Sequence, residues 1–344
     1  MIGQSGKPFS NASFAALASR AAILAARCTV LGAALMLSSC NLDNVLHSSG
    51  NPDLEGKVVL GLKTALQVGI DSSSAAASQL NGYFAHKVIK ILLPEEAAQA
   101  LATAEEVGAY VKPFKTELQA LQAAVNFAAG PTDQNSFAGN LNASSSLLTQ
   151  ITSLEGISDS LIKYMNRAAE MAAPRSVPIF KDAITSMTIA DGLELLNSAD
   201  STAATGYLNG KTLPGLSAAF SPIVDSTLTK VPLTQYWGVF RTNYNLVLTN
   251  YQKLIAFQVS WNNNTVVKAF PDLQVGKLKA VDNKPIETES LGKWTTDKAL
   301  FGLFYLVGEQ EKDIRRDPLG YVRNLSADIS GILKEVFGDI MKMQ

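Results

Sequence analysis

The 344-residue chain is poor in the residues that most often carry chemistry, with only two cysteines and two histidines. Two cysteines exclude a disulfide-dense scaffold, and two histidines leave a His-rich metal site little to draw on. Charge is also sparse. Asp, Glu, Lys and Arg make up 17% of the residues, and 29 basic side chains nearly balance 30 acidic ones. Without a positive excess the chain lacks the phosphate affinity of a general nucleic-acid binder, so no nucleic acid is expected as a partner. Hydrophobic residues, at 47%, are too abundant for a disordered chain. Several motifs are missing: the Gly-x-Ser-x-Gly elbow, the phosphate-cradling glycine loop, His-Glu-x-x-His and the cysteine pair. No cofactor or metal is implied. These absences lean away from an enzyme without excluding one.

What is present begins with an address. Lys7, Arg20 and Arg27, with no acid among them, precede the apolar run Cys28–Leu37, and the small residues Ser38 and Ser39 follow. A basic segment, a short apolar core and small residues describe a secretory signal. The core is too short to span a bilayer, which takes roughly 20 residues. Leu37-Ser38-Ser39-Cys40 resembles the lipobox of bacterial lipoproteins. That resemblance implies removal of residues 1–39 and acylation of Cys40. Each buried methylene contributes about 0.8 kcal/mol, so two or more acyl chains hold a protein at a membrane. Asn41, where an Asp would retain an enterobacterial lipoprotein at the inner membrane, implies the outer membrane of a Gram-negative cell, with the body facing the periplasm. Residues 40–53 read as a flexible tether.

From residue 54 onward the pattern is helical. Apolar residues at 58, 59, 62, 66 and 70 keep a helical period, and Ser72–Phe84 reads as a second short helix. Pro94-Glu95-Glu96 has the chemistry of a helix start, and the pattern continues to about Phe127 with breaks expected near Gly108 and Pro113. Residues 129–145 read as a polar loop. Leu147–Ala173 carries the strongest stripe and stops at Pro174. Helices are expected at Pro178–Met187, at Ile189–Asn197 behind a Thr188/Asp191 capping box, and at Ser201–Asn209, Leu213–Leu228, Thr234–Tyr251, Thr295–Arg316 and Leu325–Met341. Two apolar stretches around Asn262-Asn263-Asn264 leave a small β-hairpin insertion open near 254–270. The expected architecture is mainly α, a bundle-like single domain over 54–344.

Several stretches taken together resemble a known family. Among them are Lys90-Ile91-Leu92-Leu93-Pro94-Glu95, Met165-Asn166-Arg167-Ala168-Ala169-Glu170-Met171-Ala172-Ala173-Pro174 and Ile179-Phe180-Lys181-Asp182-Ala183. Ala203-Ala204-Thr205-Gly206-Tyr207-Leu208, Phe220-Ser221-Pro222, Lys298-Ala299-Leu300-Phe301-Gly302-Leu303-Phe304 and Ile314-Arg315-Arg316-Asp317-Pro318 continue the set. In this order they are similar to domain of unknown function forty-one ninety-seven, a family of Gram-negative lipoproteins and secreted proteins. The resemblance implies a nearly all-helical exported domain and supplies no activity, cofactor or catalytic residue. The chain is longer than the family pattern at 127–150 and 250–291. It also has Glu309-Gln310-Glu311 where family members tend to carry adjacent acids.

Four side chains are weak catalytic candidates: Glu170 with Arg167, and Glu311 with Arg315. Arg167 and Glu170 stand at i, i+3, and Asn166 and Glu170 at i, i+4, so a polar network can form on one helix face. It could grip an anionic group, but the surrounding alanines favour a packing role. Glu311 and Arg315 stand at i, i+4 within the charged run 309–316, which reads as a solvated helix face rather than an acid pair for sugar chemistry. His86 reads as a surface or capping histidine. Tyr236, Trp237, Phe240, Tyr244 and Tyr251 read as core, with an apolar groove as the alternative. The expected function is a lipid-anchored envelope protein that binds a partner protein or a small amphipathic ligand. The alternatives are an envelope hydrolase using Glu170 or Glu311, and a carrier of a small hydrophobic molecule.

Overall fold

In the computed structural model the described residues are 52–316, apart from 129, 130, 231, 232, 283, 285, 288 and 289. The signal, Cys40, residues 40–51 of the tether and the helix expected at 325–341 lie outside them. The described chain is mainly α. Its helices are α1 (Pro52–Ser78), α2 (Glu95–Ala128), α3 (Pro131–Ala172), α4 (Ser176–Ser186), α5 (Ile189–Asn197), α6 (Ala203–Lys230), α7 (Leu233–Asn263), α8 (Thr265–Ala269) and α9 (Leu291–Arg316). Two compact units are present. Of the described residues, one unit takes 52–70, 180–210 and 307–316, and the other takes 71–179 and 211–306.

The larger unit is built on α2, α3 and α7, with α3 packed against both of the others. A stripe of buried residues on α2 runs through 97, 100, 104, 107, 111, 114 and 118. On α3 the stripe runs through 144, 147, 151, 154, 158, 161, 165, 168 and 172, and on α7 through 237, 240, 244, 247, 251, 254, 258 and 261. All three stripes alternate steps of three and four. That 3.5-residue period keeps one seam facing its neighbours, as in a coiled coil. At 1.5 Å per residue the 42 residues of α3 extend about 63 Å, so one helix serves as the spine of this unit.

The helices are longer than the sequence pattern predicts, and in each case a buried stripe overrides a local breaker. Residues 131–145 are helix, not loop. Phe137, Ser144 and Leu147 continue the buried stripe, and the polar side chains turn back on their own helix. Asn140 donates to the Ser136 carbonyl at 2.8 Å, Ser144 to Asn140 at 2.8 Å and Ser145 to Leu141 at 3.2 Å. Pro113, Pro214 and Pro222 sit inside helices on exposed positions, where water can take the carbonyls they leave unbonded. Gly108 does not break α2. α1 runs unbroken to Ser78, and Ser74 donates to the Ala173 carbonyl at 3.1 Å.

The hairpin near 254–270 is absent. The stretch belongs to α7 and α8, because Tyr251, Leu254, Gln258 and Trp261 meet the core at helical steps rather than alternating ones. The asparagines end helices instead of turning a hairpin. Asn264 caps α8 by accepting from Val266 N at 2.8 Å. Asn262 pairs with both backbone groups of Val275, at 3.0 and 2.9 Å.

The described residues of 274–287 then run without helix against α7 and α2 as a strap. Its backbone finds no sheet partner, so side chains supply the bonds. Trp261 donates to Leu273 O at 2.9 Å, Gln258 accepts from Leu278 N at 2.8 Å, and Tyr251 donates to Lys279 O at 2.6 Å. From α2, Glu117 accepts from Gly276 N and Glu96 from Glu287 N. Rising residue numbers along the strap meet falling numbers on both helices. α2 and α7 therefore run the same way, with the strap antiparallel to them.

In the smaller unit, Val58, Val59, Leu62, Leu66 and Ile70 form the buried face of α1. The expected capping box opens α5, with Thr188 Oγ1 accepting from Asp191 N at 3.1 Å and Asp191 accepting from Thr188 N at 2.9 Å. Gly192 lets α5 approach Val59, whose Cγ1 would stand 2.6 Å from any Cβ there.

In the larger unit Gly302 of α9 has the same function. A Cβ at 302 would lie 2.7 Å from Tyr83 Cε1 and 2.9 Å from Ile89 Cβ, whereas one at Gly206 of α6 would meet nothing within 4 Å. Opposite signs follow for the same substitution. Gly302→Ala should lower stability by about 1–3 kcal/mol through overpacking. Gly206→Ala should raise it by about 0.5–1 kcal/mol through helix propensity. Urea midpoints measured side by side check both.

Candidate functional site

The carboxylates buried among the described residues are Glu170 and Glu311, 4% and 3% exposed. Each belongs to a different unit.

Glu170 lies near the end of α3 and accepts from two successive backbone amides, Tyr83 N at 3.2 Å and Phe84 N at 3.3 Å. Its second oxygen pairs with Arg167 one turn earlier. Arg167 in turn donates to Asn81 Oδ1 at 2.7 Å. Asn81 holds a left-handed backbone, φ 70°, which asparagine tolerates better than most residues. Asn166 does not meet Glu170. It clamps Ile91 instead, accepting from Ile91 N at 2.8 Å and donating to Ile91 O at 2.8 Å, while its other amide hydrogen goes to Ile162 O at 2.7 Å. An unpaired backbone strand, 90–93, thus finds in one side-chain amide the partner a neighbouring strand would supply.

The segment 79–93 is closed from within as well. His86 Nδ1 accepts from Val88 N at 3.2 Å and Ile89 N at 3.3 Å, a capping role. Tyr83 is wholly buried and donates to Ala299 O at 2.7 Å. Burial, reinforced by the charge on Glu170, pushes its phenol well above the usual tyrosine range.

Glu311 serves the N-terminus of α6. The first amides of a helix have no partner within it. Here Ala203 N reaches Asp200 O at 3.3 Å, and Gly206 N reaches Thr202 O at 2.9 Å. Between them, Ala204 N donates to Glu311 Oε1 at 2.9 Å, and Thr205 N and Oγ1 donate to Oε2 at 2.7 and 2.8 Å. Every amide of the first turn is thereby bonded, and a negative charge sits at the positive end of the helix dipole. Arg315 grips Glu311 through Nε at 3.0 Å and Nη2 at 2.8 Å, and donates to Leu195 O at 2.9 Å. Just upstream, Thr202 N and Oγ1 bond the Asp200 carboxylate and hold it below its ordinary range. The charged run is therefore not uniformly solvated, since Glu311 turns inward while Lys312 and Arg316 stay exposed.

The geometry bears directly on acid–base chemistry. A catalytic acid needs a proton and a free path to substrate. Both carboxylates instead accept from backbone amides and an arginine, which engage both oxygens of each. Among the described residues no three His, Cys, Asp or Glu side chains gather as a metal site.

Of the aromatic stripe, Trp237, Phe240, Tyr244 and Tyr251 are buried, and Tyr236 is half-buried and stacked on Tyr164. The strap bonds to the hydroxyls of Tyr244 and Tyr251, closing the side on which a groove would open. Where it passes Tyr244 there is a cleft of about 220 Å³, lined mainly by polar side chains that include Glu96, Gln99, Thr103 and Asp282.

The sequence brought out Glu170, Arg167, Glu311 and Arg315, and the structure joins each pair. It missed Tyr83, Thr205 and the strap-binding role of Gln258 and Asn262. A buried-stripe position held by a polar residue, as at Gln258, is the signal that could have found one of these.

The model of the family described as Protein of unknown function (DUF4197) matches residues 54–135, 127–273 and 255–338, and the chain belongs to that family. The three matches meet within the stretches around 130 and 260. No curated protein and no solved structure matches the chain.

Replacing either carboxylate by an amide takes the charge-assisted acceptor from its arginine and weakens the bonds to the backbone amides. Glu170→Gln and Glu311→Gln should each lower unfolding free energy by about 2–4 kcal/mol, read by chemical denaturation. The phenols give a pH prediction. Tyr83 is raised, and burial pushes Tyr251 up to about 12, both above the unfolded value of about 10. A raised folded pKa favours the protonated fold, so the contribution of Tyr251 is complete below about pH 10 and lost as pH climbs through about 12, and that of Tyr83 persists to higher pH still. In a spectrophotometric titration these phenols should ionise late, together with unfolding.

Proposed function

We propose that the chain is a lipid-anchored protein of the bacterial cell envelope, held through Cys40 at the periplasmic face of the outer membrane, and that it works by binding rather than catalysis. The observation that carries the non-catalytic reading is the saturation of Glu170 and Glu311. Each accepts two adjacent backbone amides and pairs with an arginine. Side chains so engaged position segments, and spending either as a general acid would break the local fold. The anchored reading is supported by the sequence: a basic leader, a ten-residue apolar core and Leu37-Ser38-Ser39-Cys40. The partner is an envelope protein or a small amphipathic ligand.

Two measurements test the two halves. Cys40→Ala should move the protein from the membrane fraction to the soluble or unprocessed pool, and the mass of the wild-type N-terminal peptide should show acylation at residue 40. Continued membrane fractionation of the variant overturns the anchor. For catalysis, an envelope-degrading activity that vanishes in Glu170→Gln with the melting temperature intact overturns the binding reading.

A further inference from the structure

One surface of the larger unit combines exposed apolar groups with interfacial aromatics and cations. On α9, residues 294, 298, 301 and 305 fall within an arc of about 60° at 100° per residue. The segment 86–92 runs beside that arc. Trp294 Nε1 donates to Leu92 O at 3.0 Å, Gly302 packs on Ile89, and the Tyr305 ring meets His86 edge-on at 6.1 Å. Val88, Leu92 and Phe301 stand 52%, 57% and 61% exposed on this surface. Large apolar side chains so placed cost solvation unless something covers them.

The chemistry at the edge indicates what does. Lys87, Lys90 and Lys298 are exposed around the apolar group. Lys298 lies 4.5 Å from the Trp294 ring and Lys90 4.6 Å from the Phe84 ring. Asp297, four residues before Phe301 on α9, is paired with Lys293 at 2.6 Å, and its charge is offset. Aliphatic and Phe side chains flanked by Trp and Tyr, with lysines outside them, match the layering of a bilayer interface: acyl boundary, headgroup level, anionic surface.

We propose that this face, built from 86–92 and the outer stripe of α9, docks on an anionic phospholipid surface. The inference deepens the anchored reading and rests on it for opportunity. Eleven residues separate Cys40 from Pro52, a reach of about 40 Å. An anchored chain is therefore kept at high effective concentration against lipid, and a weak face suffices to dock it.

Trp294 supplies the probe, because Trp237 and Trp261 are buried and Trp294 is half-exposed. The intact protein is reconstituted into vesicles containing an anionic phospholipid and a spin-labelled phospholipid. Trp294 emission should be quenched, less so in purely zwitterionic vesicles and less at high salt, and Trp294→Phe should remove the quenched component. Leu92→Ser with Phe301→Ser should shift the docking equilibrium about tenfold toward the undocked state. Lys87→Glu with Lys298→Glu should abolish the preference for anionic lipid. Circular dichroism confirms that both variants fold. The mass of the N-terminal peptide is read on the same sample. Quenching without acylation keeps the docking face and removes the anchor. Acylation without quenching, as when a protein partner covers this face instead, overturns the docking proposal and leaves the anchor standing.

Discussion

The described structure depends on one constraint: backbone amides outside regular bonding must be given a partner when they are buried. The chain meets it with carboxylates. Glu170 takes the amides of 83 and 84, and Glu311 takes those of 204 and 205. A carboxylate accepting two adjacent amides is a strong local fixture, since the bonds are charge-assisted and an unmet amide would cost about 1–3 kcal/mol. Each arginine then balances the buried charge from its own helix, at i−3 for Arg167 and i+4 for Arg315. These four polar residues hold loops and helix ends.

The same economy explains the strap. An extended segment without a sheet normally faces water on its bonding edges. Here Trp261, Asn262, Gln258, Tyr251 and Tyr244 of α7 bond its backbone one group at a time. The aromatic stripe thus has two functions. Its rings fill the seam toward α3, and its hydroxyls and indole nitrogen hold the strap. At Tyr244 and Tyr251 the strap meets the hydroxyl ends of the stripe. The exposed face around Phe301 is different in kind: it has no covering segment in its own unit among the described residues, and its rim is basic.

Much of the helical content was legible. The Thr188/Asp191 capping box, the acidic start of α2 and the stripe through Leu161 and Met165 all describe local chemistry that needs no tertiary partner. The errors were boundaries and one element type. Residues 131–145 look like a loop because Asn, Ser and Gly favour turns, yet their side chains bond back to the helix once Phe137 and Leu147 are buried. The three asparagines at 262–264 look like a hairpin turn because the residues around them are β-formers. Propensity is a weak prior, and a long buried seam outweighs it.

The sequence alone settled that this is a helical chain of low charge, poor in thiols and imidazoles, and it also supplied the Glu–Arg spacings. Those properties are set by composition and by neighbours three or four residues apart. Only the tertiary structure decided that Glu311 turns inward, that Asn166 pairs with Ile91 rather than Glu170, and that Val275 and Glu287 of the strap bond to α7 and α2. Each of these joins residues separated by 13 to 191 positions. At such separations periodicity carries no information, and the partner is fixed by which amides the packed helices leave unbonded.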